Sequence, residues 1–442
     1  MINRSLIILG KAISRTSKLL NRGNGSTWPG HIALNANPHF IKDFLKQTQT
    51  KIIIVAGTNG KTTTASLIKT GLEKNGKKVI QNTSGANLLN GIASTLILNS
   101  NQTGKINADY AIFEVDENAL HQVLKQVAPD YLILLNLFRD QLDRYGEINT
   151  ITKKWQKAIN QLPEKTKLIL NADDPQIAYL GLANFTANGM KQSPTVSYFS
   201  LENKKNKHQT QQAADSISCP RCGAPLEFAS ITFSHLGDWY CKKCKLKHPS
   251  VAQLDFQNYP LAGIYNKYNT NAAILVLKHI GLTDKQIADA FSTFKPAFGR
   301  QEIVTYKNKQ IQLFLSKNPT SFNQSYTTIK DLKATTLLLV LNDRIPDGRD
   351  VSWIWDIDLT GIDQFKHIII SGDRTYDMAL RIQYEQDSKW TMENEKWKIE
   401  PDLQKAINYA LEQTSPDQTL YILPTYSAML DVRKIITGKK IL

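Results

Sequence analysis

"KIIIVAGTNGKTTT", Lys51–Thr64, packs an apolar run, a glycine-rich turn and the start of a new period into fourteen residues. Ile52–Val55 reads as a buried strand, and the apolar spacing after Lys61 reads as a helix. A turn in that setting is a phosphate cradle. Gly57 and Gly60 let backbone amides curl around an anion with no side chain in the way. The helix beginning near Lys61 aims its N-terminus at the same place. Lys61 can neutralise phosphate charge and the Thr62 hydroxyl can ligate Mg²⁺. The candidate nucleotide-binding residues are Gly57, Thr58, Asn59, Gly60, Lys61, Thr62 and Thr63. The usual pattern G-x-x-x-x-G-K-[ST] wants a glycine where this chain has Val55. The glycine stands instead at 57, so the loop is shortened. A purely structural turn is the alternative, and the Lys-Thr-Thr that follows argues against it.

Working outward, "YAIFEVDE", "YLILLNL" and "KLILNADD" are apolar runs that end in polar residues, with helical stretches between them. This alternation predicts a parallel sheet covered by helices. A second alternating section follows "FGRQE", with "IQLFLSKNP", "TLLLVLND", "HIIISGD" and "TLYILPTY" as strands. The expected division is an N-terminal helical segment (1–50), a central ATP-binding domain (51–300) and a C-terminal α/β domain of Rossmann-like type (301–442). "ENKKNKHQTQQAAD" is polar and resembles the start of an insertion, placed at about 200–250.

The chain has 442 residues, 41% of them hydrophobic, and a net charge of +15. That is ordinary globular composition, and the charge favours acidic partners. No basic recognition motif accompanies it, so nucleic acid is not expected. No apolar run approaches the roughly 20 residues that span a bilayer, and no signal peptide is legible, so a cytoplasmic location is expected. Residues 1–22 read as an amphipathic helix with Ile2, Leu6, Leu9, Ile13 and Leu20 on one stripe and Arg4, Lys11, Arg15, Lys18 and Arg22 on another. Such a helix either packs on the protein's own body or lies on the inner face of an anionic membrane.

The four cysteines form "CPRC" (Cys219, Cys222) and "CKKC" (Cys241, Cys244). Two such knuckles at this separation predict a closed, structural Cys₄ zinc ribbon. Two disulfides, or a redox C-x-x-C, are the alternatives.

"GTNGKTTT" resembles the ATP-binding loop of the Mur ligase family, whose members join a carboxylate to an amine and cleave ATP to ADP. Glu114 in "FEVDE" stands where the family places a Mg²⁺-binding glutamate, beside Thr62. "NLFRDQLDRYGE" resembles N-x-x-x-D-H-L-D-x-H-G through Asn136, Asp140, Asp143 and Gly146, with Gln141 and Tyr145 replacing the histidines. "LNADDP" (Leu170–Pro175) is a further landmark. Asn266 and Asn269 in "GIYNKYNTNAA" match asparagines near the nucleotide, and Arg300 in "GRQE" matches an arginine on the ATP phosphates. "KNPTSFNQ" stands at the family's H-N-P, with Lys317 for the histidine. The lysine that several amino-acid-adding members carbamylate is not recognisable. The resemblance implies a Mur ligase-like fold and a requirement for ATP and Mg²⁺.

"LNDRIPDGRDVSWIWDIDL" (Leu341–Leu359) resembles the signature of one branch, the MurT-type subunits. This implies ATP-dependent amidation of the α-carboxyl of D-glutamate in the lipid II stem peptide, for peptidoglycan synthesis. The ammonia would come from a GatD-like glutamine amidotransferase subunit. Asp350, with Asp347 second, is the residue implied to complete that partner's catalytic triad; a turn or helix cap is its alternative role. A stand-alone amino-acid or glutamate ligase, and a zinc-ribbon nucleic-acid-binding ATPase, remain the rival readings.

Overall fold

The computed structural model describes residues 2–19, 27–82, 85–139, 148–184, 194–201, 215–251, 254, 256–385 and 397–438. Two six-stranded sheets carry the chain. The first is built from β1 (Lys51–Ala56), β2 (Val79–Gln81), β3 (Tyr110–Val115), β4 (Tyr131–Leu134), β5 (Lys167–Asn171) and β6 (Thr195–Phe199), in the order β2-β3-β1-β4-β5-β6. Every pairing in it is parallel. Its strands are apolar on both faces because both faces are covered. Along β1, Ile52, Ile54 and Ala56 point into one core while Ile53 and Val55 point into the other. The chain leaves β1 for strands on one side of it and later returns on the other side at β4. The loop after β1 therefore opens into the crevice at the strands' C-terminal ends, where such sheets bind ligands.

A small hairpin, β7 (Glu227–Phe233) and β8 (Leu236–Tyr240), follows β6 in the chain, and the helix Ile264–Ile280 comes after it. The second sheet comprises β9 (Arg300–Tyr306), β10 (Lys309–Phe314), β11 (Thr336–Val340), β12 (His367–Ser371), β13 (Trp397–Ile399) and β14 (Thr419–Pro424), in the order β13-β12-β11-β14-β10-β9. It is parallel except for the β9–β10 hairpin at one edge. Its two cores again alternate along a strand, with Leu337 and Leu339 on one side and Leu338 and Val340 on the other.

The first helix, Ile2–Leu19, corrects the expected stripe. Its buried face is centred on Ile7, Gly10 and Ser14, whereas Leu9 is 48% exposed. The cause is the glycine. A Cβ at Gly10 would lie 3.0 Å from Ile97 and 3.2 Å from Pro29, so close helix approach, not side-chain size, sets the contact. Leu6 still packs against the core, so one side of the helix does lie on the body. Trp28, Pro29 and Gly30 open the next helix, Trp28–Ala36, with proline in its first turn. No helix among the described residues is long and apolar enough to cross a membrane.

Candidate functional site

A cleft of about 250 Å³ opens where the loop after β1 meets residues of the second sheet. The loop is held from the end of β4. Thr58 N–H donates to the Asn136 carbonyl at 3.0 Å. Asn59 N–H donates to Asn136 Oδ1 at 2.9 Å, and Asn136 Nδ2 returns a bond to the Asn59 carbonyl at 3.1 Å. Thr58 Oγ1 donates to the Phe138 carbonyl and accepts from its N–H. Gly60 has φ +89°, and a Cβ there would sit 2.0 Å from Asn269 Oδ1, so position 60 admits only glycine.

Polar side chains converge beside the loop. Lys61 Nζ lies 2.5 Å from the Gly57 carbonyl, 3.1 Å from that of Thr58 and 3.3 Å from Glu117 Oε2. Thr62 Oγ1 donates to Glu114 Oε2 at 2.5 Å, and Gln81 Nε2 donates to Oε1 of the same carboxylate at 3.0 Å. Ligands of an octahedral Mg²⁺ at about 2.1 Å stand about 3 Å apart. Thr62 and Glu114, 2.5 Å apart, would have to part only slightly for both to reach such an ion. Arg300 reaches the cleft from β9, and burial pulls its guanidinium below its ordinary value while Glu114 pushes it back up. From the second sheet's side, Lys317 lines the cleft, and Asn318 Nδ2 donates to Asn59 Oδ1 at 3.3 Å.

The structure thus gathers Thr58–Thr63, Glu114, Asn266, Asn269 and Arg300 around one cleft, with Gly57 at the base of the loop. Asp140, Gln141, Asp143, Tyr145 and Gly146 lie outside the described residues, as does 202–214 of the polar insertion. Asp350 is not in the cleft. It is exposed, and Oδ1 accepts from Ser352 N–H at 2.8 Å; the Ser352 side chain first, and then this N–H, hold the carboxyl below its usual range. The turn cap is real, and the carboxylate is still presented to solvent. Asp347 is the opposite case. It is buried, accepts from Ser427 N–H at 2.7 Å and from the Ser427 hydroxyl, and burial pushes its carboxyl up. That is a structural post between the loop and the helix Tyr426–Thr437.

The four cysteines meet. Sγ of Cys219 is 3.6 Å from that of Cys244, and Sγ of Cys222 is 3.6 Å from that of Cys241, with all four within 4.8 Å and none in a disulfide. Tetrahedral zinc at about 2.3 Å from sulfur gives an edge of about 3.8 Å, so the set fits that ion. Each knuckle closes the same way: Gly223 N–H donates to the Cys219 carbonyl and Lys245 N–H to that of Cys241, with positive φ at both donors. Burial pushes the Cys219 thiol up to about 12, whereas backbone N–H groups, first that of Cys244, hold Cys241 down to about 6. A shared cation would favour thiolate at all four.

Sequence reasoning missed several neighbours. Glu117, buried against Lys61, sits two residues beyond the strand that pointed to Glu114. Phe138, Phe233, Leu236 and Tyr268 line the cleft with apolar surface. "LNADDP" proves to be a junction: Asp173 accepts from Tyr268 OH, from Leu201 N–H and from His248 Nε2 at 2.8 Å, while Asp174 accepts from Leu137 N–H at 2.9 Å. The paired aspartates were the available signal, since buried carboxylates demand partners.

The fold and the cleft define a Mur-type ligase. The family model for the Mur ligase middle domain matches residues 55–277. Among solved structures, a pseudomurein peptide ligase type C from Methanothermus fervidus superposes with a TM-score of 0.65 at 21% identity, covering 97% of this chain and 85% of that one. The MurF ligase from Thermotoga maritima in complex with ADP gives 0.60 at 14%, covering 91% and 82%. The family model for the MurT ligase C-terminal region matches residues 315–429. The MurT subunit of the glutamine-hydrolyzing lipid II isoglutaminyl synthase of Staphylococcus aureus (strain COL) is 32% identical, over 85% of this chain and 86% of its own. That of Streptococcus pneumoniae (strain ATCC BAA-255 / R6) is 31% identical, over 98% and 97%. The chain belongs to the MurT family.

Proposed function

We propose that this chain is the ligase subunit of a lipid II isoglutaminyl synthase. It would amidate the α-carboxyl of D-glutamate in the lipid II stem peptide with ammonia released by a GatD-like glutaminase partner. The observation that carries the reading is membership of the MurT family over nearly the whole chain.

The chemistry assigned to the cleft is as follows. The substrate carboxylate oxygen attacks the γ-phosphorus of ATP and ADP leaves. Ammonia then attacks the acyl carbon of the acyl phosphate, loses a proton and expels phosphate. The amides of the loop and Lys61 bind the phosphates and stabilise the charge that builds on the transferring group. Arg300 would lie against the same phosphates, and Asn266 and Asn269 beside the nucleotide. Thr62 and Glu114 would hold Mg²⁺, which would neutralise phosphate charge there. Ammonia needs no amino-acid pocket, which suits a sequence in which the carbamylated lysine of several amino-acid-adding members is not recognisable. Asp350 would act on the partner, orienting its catalytic histidine and stabilising the imidazolium. Its exposure supports that role.

To separate this reading from a stand-alone amino-acid ligase, the isolated chain is given lipid II, ATP and Mg²⁺ with either an ammonium salt or a panel of amino acids. Amidation with ammonium and no amino-acid adduct is expected. An adduct without amidation would favour the rival.

We also assign structural zinc to Cys219, Cys222, Cys241 and Cys244, as the core of a ribbon set into the central domain. One equivalent of zinc should accompany the chain when it is purified without chelator, as read by elemental analysis. Cys222→Ser should lower the melting temperature and loosen the insertion first, since the shared metal ties its two cysteine knuckles together.

The N-terminal helix exposes Ile8 (56%) and Leu9 beside Arg4 and Arg15, which suits peripheral contact with the anionic membrane face. Ile8→Glu with Leu9→Glu should abolish co-sedimentation with anionic vesicles and leave ADP binding unchanged. Equal sedimentation of both proteins would reject that contact.

A further inference from the structure

Hairpin turns normally ride on the surface. The turn between β7 and β8 does not. Ser234 and His235 are 2% and 0% exposed. The hairpin is driven into the body of the first sheet at the "LNADDP" junction. Gly237 N–H donates to the Asp173 carbonyl at 3.1 Å and Trp239 Nε1 to the Ala172 carbonyl at 3.0 Å. His235 Nε2 lies 3.5 Å from Asp174 Oδ2. That same carboxylate oxygen accepts from Leu137 N–H, between the two residues, Asn136 and Phe138, that hold the glycine-rich loop.

The consequence is seen in the cleft. Phe233 and Leu236, the paired residues flanking the turn, form part of its wall. Phe138 lies against Phe233 with ring centroids 6.1 Å apart and 21° between planes, and Tyr268 meets Phe233 edge-on at 5.7 Å. The cleft is therefore chemically divided. Its lining is of two kinds: the polar loop with Lys61 and Arg300, and the aromatic and aliphatic side chains of Phe138, Phe233 and Leu236. A nucleoside triphosphate is divided in the same way, into phosphates and a flat, weakly polar base.

We propose that the cysteine-bearing insertion supplies the base-binding wall of the nucleotide site: Phe233 and Leu236, with Phe138, hold a purine base, and a metal at the four cysteines, by holding the hairpin, sets nucleotide affinity. The inference rests on the reading of the cleft as a nucleotide site. It turns the insertion from an appendage into part of the site.

The test compares two probes on the full chain, each with Mg²⁺: ADP, which has both parts, and tripolyphosphate, which has only the first. Loss of one base contact should weaken ADP binding by Phe233→Ala about tenfold or more, while tripolyphosphate binding stays within a factor of about two. Because alanine could disturb the hairpin, Phe233→Leu is measured beside it. Leucine keeps the apolar contact without the aromatic face, so ADP affinity should fall less and the melting temperature should hold. Chain stripped of the cysteine-bound metal and returned to Mg²⁺ should behave like the alanine variant. Wild-type ADP affinity in both Phe233 variants would overturn the proposal. So would equal loss of ADP and tripolyphosphate, which would make the hairpin a prop for the loop rather than a wall for the base. A wild-type chain that binds tripolyphosphate but not ADP would overturn the nucleotide reading itself, and the proposal with it.

Discussion

Lys61→Ala should abolish amidation, with kcat falling at least about 10²-fold, because the charge that stabilises the transferring phosphoryl group is gone. The structure adds a second effect. Lys61 is the ion-pair partner of Glu117, whose side chain is only 4% exposed. Removing one member of a buried pair leaves an uncompensated charge, and costs up to about 3 kcal/mol of stability. The single variant should therefore melt earlier than the wild type as well as being inactive. Adding Glu117→Gln removes the orphaned charge. The double variant should recover most of the melting temperature and none of the activity. Activity that returns together with stability would mean that Lys61 serves the fold and not the chemistry.

Asp350→Asn should separate the two half-reactions. Asparagine keeps the Oδ1 acceptor that Ser352 N–H uses, so the turn survives. It lacks the negative charge that stabilises a histidine cation, and loss of an orienting carboxylate costs on the order of 10³–10⁴-fold. Glutamine hydrolysis by the partner should collapse while the complex still assembles. ADP binding at the cleft should be unchanged, and an ammonium salt should restore amidation. Normal activity with glutamine would remove Asp350 from the triad. Failure with both nitrogen sources would place it in the ligase reaction. Asp347→Asn is the contrast: its carboxylate is tied to Ser427, so it should lower stability and leave both nitrogen sources equally usable.

Much of this site was legible in residues 51–64, for a physical reason. A strand buried on both faces is a continuous apolar run, a turn with positive φ needs glycine, and the helix that follows shows its period at once. All three signals are local. The cysteine cluster was legible too, because metal geometry restricts ligand spacing. Where the cysteine-bearing hairpin sits was not. The bonds from Gly237 to Asp173 and from Trp239 to Ala172 join segments far apart in the chain, and no periodicity records them. Phe233 and Leu236 carry no local signal for the same reason. The first helix misled in a different way. Counting large apolar side chains put Leu9 on the buried stripe, whereas the close contact is made at Gly10, which a hydrophobic pattern does not register. β13, three residues long, and the antiparallel edge strand β9 were invisible as patterns and exist through pairing with β12 and β10.

The most direct test of the central claim uses the chain co-purified with its glutaminase partner, lipid II, ATP, Mg²⁺ and glutamine labelled with ¹⁵N in its side-chain amide. Mass spectrometry of the stem peptide is expected to show the label in an amide at the α-carboxyl of D-glutamate, with ADP and glutamate formed in step. Unlabelled, unamidated lipid II alongside sustained ATP and glutamine turnover would contradict it, as would label carried in on an added amino acid.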